Sequence, residues 1–107
     1  MVTIWLTVSL SLSPGKKKRL KVNGNNNNEL FCSLKDVIRQ KLFKPHCNNE
    51  DIPEFGLVYK HETELESDAT DLDDEDDFEG MLDLFPNGVG VRIFANTSDG
   101  KFFSYVL

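Results

Sequence analysis

The sequence has little of what disulfide scaffolds, metal sites and enzymes are built from. Two cysteines, Cys32 and Cys47, occur in 107 residues, too few for a disulfide framework, and they read as reduced intracellular thiols. Two histidines, His46 and His61, complete the soft-ligand inventory. His46-Cys47 with His61 fits no zinc spacing and lacks a fourth ligand. No nucleophile elbow and no glycine-rich phosphate loop is present. Carboxylates abound, but nothing selects one pair for acid–base work. The expectation is a protein that is not an enzyme, with no catalytic residue, cofactor or metal.

Long hydrophobic runs are also missing, so no segment reads as a transmembrane helix. Met1–Ser13 has no basic n-region, and its apolar residues alternate instead of forming a block, which argues against a secretory signal. The expected location is intracellular, cytoplasmic or nuclear, and the sequon Asn96-Thr97-Ser98 is then unused. Positive charge is scarce after residue 47, and the net charge of −6 opposes direct nucleic-acid binding, which needs a basic surface.

What the chain does have is sorted charge. Residues 1–47 hold nine Lys/Arg (Lys16, Lys17, Lys18, Arg19, Lys21, Lys35, Arg39, Lys41 and Lys44) against Glu29 and Asp36, a net of +7. Residues 48–107 hold three basic residues against sixteen acids, a net of −13. Ten of those acids lie between Glu62 and Asp77. Asp71, Asp73, Glu75 and Asp77 stand at alternate positions, as in the first half of an EF-hand loop. Asp76 then takes the place that needs glycine, and Leu82 the place of the bidentate glutamate. Weak cation condensation is the expectation there.

Hydrophobic periodicity supplies the elements. Val2, Ile4, Leu6, Val8, Leu10 and Leu12 alternate with Thr3, Trp5, Thr7, Ser9 and Ser11, which predicts a strand over Val2–Leu12. Ser13-Pro14-Gly15 is a turn. Lys17–Val22 reads as a second strand, with Leu20 and Val22 on one side and Arg19 and Lys21 on the other. Asn23–Asn28 reads as a polar, mobile loop, and Glu29–Cys32 as a short extended segment.

A helix is expected from Ser33, its cap, with Asp36 close to a capping box. Leu34, Val37, Ile38 and Leu42 share one face, Lys35 and Arg39 the outer one, and Pro45 ends it. Asn48–Pro53 is a loop and Phe55–Lys60 a strand. A short helix starting near Asp76 carries Phe78, Met81, Leu82 and Phe85, with Pro86-Asn87-Gly88 as its stop. Val89, Val91, Ile93 and Ala95 alternate into a strand. Asp99-Gly100 then turns into a last strand over Phe102–Val106.

Strand, strand, helix, strand, short helix, strand, strand is the layout of an α+β ubiquitin-like β-grasp roll. One main helix and one short helix would accompany a mixed sheet of four to five strands, as one domain over residues 1–107 with flexible loops at about 23–30 and 61–75. In such a roll the basic set (Lys16, Lys17, Lys18, Arg19, Lys21, Lys35 and Arg39) would lie on adjacent elements. The acidic set (Asp71, Asp73, Asp74, Glu75, Asp76, Asp77 and Glu79) would open the second helix. One copy's basic face could then meet another's acidic face head to tail, in a salt-sensitive way. The implied partner is a protein, itself or a related domain.

Leu57-Val58-Tyr59, Leu72–Phe78, Met81-Leu82, Pro86-Asn87 and Val91–Phe94 together resemble the CIDE-N (CAD) domain, and Ser33–Asp36 resembles that family's helix start. The resemblance spans roughly residues 17–103. It implies a ubiquitin-like fold, homotypic or heterotypic docking of basic on acidic faces, and a link to apoptotic DNA fragmentation or lipid-droplet proteins. Phe102 stands where that family usually has tryptophan. The Phox/Bem-type signalling scaffold domain is a close alternative. It pairs the same kinds of face on the same fold, and Tyr59 followed by Glu62–Asp77 resembles its acidic motif without the usual glycine. A further alternative is an acidic domain docking an unrelated basic partner.

Overall fold

The computed structural model describes residues 1–10, 17–43, 55–64 and 68–97. The turn at residues 13–15, Lys16, Lys44–Cys47, the loop 48–53 and the strand expected at 102–106 lie outside these residues.

Strand β1 (Val2–Leu10) pairs antiparallel with β2 (Lys18–Gly24). Helix α1 (Asn27–Ile38) follows and leads to β3 (Phe55–His61) and a two-residue β4 (Thr70–Asp71). Helix α2 (Glu75–Leu84) precedes β5 (Val91–Thr97). The sheet order is β2-β1-β5-β3-β4, with β5 parallel to β1 in the middle and antiparallel to β3. The fold is α+β, a mixed five-stranded sheet with two helices, and it is the ubiquitin-like β-grasp arrangement.

The alternation in β1 and β2 does what the period requires. Ile4 faces Val22 and Leu6 faces Leu20 across the ladder, and all four are buried. Leu30, Leu34 and Ile38 of α1 join them in one core with Leu57, Tyr59, Phe78, Met81, Val91 and Ile93. The helices thus cover one face of the sheet, called here the inner face. The other face carries Thr3, Trp5 and Thr7 opposite Asn23, Lys21 and Arg19.

The chain departs from expectation at the start of α1. The segment 23–30 is not a loop, and Glu29–Cys32 is not extended. β2 runs on to Gly24, and Asn26 caps a helix that begins at Asn27. The Asn26 side chain accepts from the Glu29 amide at 2.9 Å, and the Glu29 carboxylate accepts from the Asn25 amide at 3.0 Å. Asparagine is among the best N-caps, so a run of them before an apolar stripe is a helix start and not only a flexible tract. Ser33, the expected cap, lies inside the helix, and its hydroxyl accepts from the Asn23 amide at 3.4 Å. Gly24 lets the helix sit this close to the strand, since a Cβ there would stand 2.7 Å from the Leu30 nitrogen.

The far end of α1 also differs. The helix widens into a π-turn over Arg39–Phe43, which shifts the register of its inner stripe. Phe43 is fully buried and stacks on Phe55 at 4.8 Å, while the expected Leu42 is only partly covered.

Within the expected loop 61–75, residues 70–71 form a strand and Glu75 opens α2. Thr70 and Asp71 pair with Tyr59 and Val58. Leu72 is buried, and its amide donates to the Leu57 carbonyl at 2.9 Å. One large apolar residue inside an acidic run is enough to pin it to the core. Helix α2 begins one residue before the expected Asp76, and a 3₁₀ turn at Pro86–Gly88 ends it as anticipated. Gly88 is needed there. Its φ is +76°, and a Cβ would collide with Leu6.

Candidate interaction faces

The basic residues of β2 stand at one edge of the sheet. Arg19 and Lys21 are exposed on the outer face, opposite Thr7 and Trp5. The Arg19 guanidinium lies 5.6 Å from the centre of the Trp5 ring, a cation–π distance. Lys18 is exposed at the start of the strand, and Lys17 precedes it. Lys16 lies outside the described residues.

Lys35 and Arg39 do not join this group. Lys35 sits on α1 and Arg39 at its C-cap, and α1 packs on the inner face. The Lys35 ammonium lies 4.5 Å from the Phe31 ring, and Phe31 in turn packs on Phe78 of α2 at 5.5 Å. Arg39 donates to Asp36 at 3.0 Å and lies 5.4 Å from the Phe55 ring of β3. α1 and β2 are neighbours, as anticipated, but the two parts of the expected basic face open on opposite sides of the sheet. The physical reason is the pleat: with Leu20 and Val22 inward, Arg19 and Lys21 must point away from the helix.

The acidic residues gather at the other edge. Asp71 is in β4, Asp73 follows, and Asp74 is the N-cap of α2. Asp74 accepts from the Asp77 amide at 2.9 Å, and Asp77 accepts from the Asp73 amide at 3.0 Å. This reciprocal cap repeats the one on α1. Glu75, Asp76 and Asp77 occupy the first turn, where acids complement the helix dipole. The alternate carboxylates are thus divided among strand, turn and helix. Among the described residues no three His, Cys, Asp or Glu side chains converge as metal ligands. Glu79 and Asp83 extend the acidic surface along the exposed side of α2.

A third cluster went unnoticed in the sequence. Arg92 of β5 belongs to the outer face, yet it is only 5% exposed. Its Nε donates to Glu62 at 2.8 Å, a second nitrogen donates to the other oxygen of the same carboxylate, and Nη1 donates to the Ser9 hydroxyl at 3.2 Å. Lys17 adds an ion pair to Glu62 at 3.5 Å. The hydrogen bond from Arg92 is the main reason that the Glu62 carboxyl is held below its ordinary pKa. Partial burial works against this, and the charges of Arg92 and Lys17 add to it. Glu62 counted among the acidic run in the sequence, but it is an internal tie. The signal was a lone arginine between Val91 and Ile93 in the apolar first part of β5.

Beside this tie the outer face holds an open cleft of about 590 Å³, with Thr3, Trp5 and Thr7 of β1, Lys17 and Arg19, and the exposed Val89 among its walls. No helix among the described residues is long and apolar enough to cross a membrane. Compared with known proteins, the chain matches no family model, no curated protein and no solved structure.

Proposed function

We propose that this domain is a protein–protein interaction module that joins copies of itself, or a related domain, head to tail through oppositely charged faces. The observation that carries this reading is the placement of charge at the two edges of one sheet. β2 brings Lys18, Arg19 and Lys21 to one edge, and β4 with the start of α2 brings Asp71, Asp73, Glu75 and Asp76 to the other. Among the described residues neither group has an ion-pair partner. A contact between two different faces does not close by two-fold symmetry and propagates from copy to copy. Exposed ion pairs are individually weak, so the contact should depend on several at once and weaken with salt. The CIDE-N-type and Phox/Bem-type readings both fit this mode of docking, and the pathway depends on which partner the charges select.

The test is a complementation experiment. Arg19→Glu with Lys21→Glu removes the basic edge, and Asp73→Lys with Asp76→Lys removes the acidic one. Each variant alone should remain a monomer, while the two mixed should form a capped dimer through the intact face of each. If both variants still assemble like the parent, the docking model is wrong.

A further inference from the structure

A mid-helix glycine on α2 has no explanation among the described residues. Gly80 has no positive φ, and among the described residues a Cβ built on it would meet nothing within 4 Å. Glycine inside a helix is unfavourable relative to almost any other residue, and neither its conformation nor packing against the described residues accounts for it. Its surroundings are specific. Asp76, Glu79, Gly80, Asp83 and Leu84 follow the i, i+3, i+4, i+7, i+8 spacing of a single helical stripe, and all five are exposed. Leu84 is a large apolar side chain at 69% exposure. The stripe is therefore acidic along its length, apolar at its end, and bare of side chain at its centre.

The outer cleft has the opposite relief. Trp5 is 47% exposed although it lies mid-strand. Arg19 stacks on its ring, Lys21 stands opposite it in the ladder, and Val89 at 74% exposure lines the same cleft. Glu62 at the cleft wall is already matched by Arg92 and Lys17. Half-buried tryptophan beside arginine is the composition of interface anchors.

Resting on the docking reading above, we infer that the Trp5 cleft of one copy seats the α2 stripe of a second copy, with the Trp5 ring laid over Gly80. The missing side chain lets a large ring approach the helix backbone. Arg19 and Lys21 then meet Asp76, Glu79 and Asp83, while Leu84 supplies apolar contact toward Val89. Lys35 and Arg39, on the far side of the sheet, take no part.

Trp5 is the only tryptophan in the chain, so its fluorescence reports on the site directly. A reporter copy carrying Asp76→Lys and Asp83→Lys keeps Trp5 but loses its own stripe. A dark copy carrying Trp5→Ala and Arg19→Glu keeps α2. The expected result on titration is a 1:1 complex by light scattering together with a blue shift of Trp5 emission. Gly80→Leu in the dark copy should weaken that complex at least tenfold while raising its melting temperature. Because the variant gains helix propensity, lost folding cannot imitate the effect. A 1:1 complex with unchanged Trp5 emission, or one indifferent to Gly80→Leu, overturns the cleft while leaving charge-coded docking in place. Absence of any complex overturns both.

Discussion

Glu62 and Asp76 come from one acidic stretch, and the fold gives them opposite tasks. Glu62 faces the buried Arg92, is gripped by two of its nitrogens and has Lys17 alongside. Asp76 stands exposed on the first turn of α2 with no ion-pair partner among the described residues. The difference is positional. Glu62 follows directly on β3, where its amide donates to the Gly90 carbonyl and holds its carboxylate over the sheet. Asp76 lies beyond the last strand edge, where no basic side chain among the described residues pairs with it. A charge run is therefore not one surface. Part of this one closes the molecule, while Asp71, Asp73, Glu75 and Asp76 stand exposed on its outside.

The largest effect expected from this contrast is at Arg92. Arg92→Ala should destabilise the domain by about 3 kcal/mol, because it leaves Glu62 and Ser9 without their shared partner. Chemical denaturation of the purified variant measures this, and a loss below about 1 kcal/mol would mean that the tie is ornamental. The pH dependence follows with a definite sign. Glu62 has a folded pKa below its ordinary value of 4.5, so its contribution to stability is fully present above that value. It is lost as the pH falls through the lowered folded pKa. Wild-type protein should lose this component of stability on acidification below about 4.5, and Glu62→Gln should show a shallower acid limb at lower overall stability.

Next in size is the association effect that separates the two sides of the sheet. Arg19→Glu with Lys21→Glu should weaken self-association at least tenfold, worth about 1.4 kcal/mol. Lys35→Glu with Arg39→Glu should leave it within about threefold, which corresponds to less than 1 kcal/mol. Equilibrium sedimentation of the two variants side by side checks this, and equal loss in both would restore a basic face that includes α1.

The caps come third. Asn26→Ala and Asp74→Ala should each cost about 1 kcal/mol, since each removes the acceptor for the first-turn amide of its helix. Smallest is Asp71→Asn, an exposed acid on the edge strand, with an expected change in stability within about 0.5 kcal/mol. Thermal unfolding of the three variants orders them, and an Asp71→Asn loss as large as that of Asp74→Ala would erase the distinction between internal and outward-facing acids.

Much of the fold was legible because it is written in local period. The alternation of Val2 to Val8, the inward Leu20 and Val22, the stop at Pro86 and the strand carrying Val91, Ile93 and Ala95 all follow from spacing within a few residues. The start of α1 was not, because four asparagines carry two opposed meanings. They favour disorder as a tract and helix initiation as a cap, and only Glu29 at the third helical position separates the two.

Of the candidate site, the two charged ends were legible and their sides were not. Residue type placed Lys35 and Arg39 on an outer helical face, but which way that face looks depends on how α1 lies across the sheet. The Arg92 tie was further out of reach. Its partners stand 30 and 83 residues away in the chain, and no local pattern brings Ser9, Glu62 and Arg92 together before the parallel pairing of β1 with β5.

The account rests on charge-coded self-association, and the most direct measurement is light scattering on a size-exclusion column over a concentration series, at low and at high salt. A mass that climbs with concentration at low salt and collapses to one chain at high salt is the predicted result. A mass of one chain at every concentration and both salt levels would contradict it.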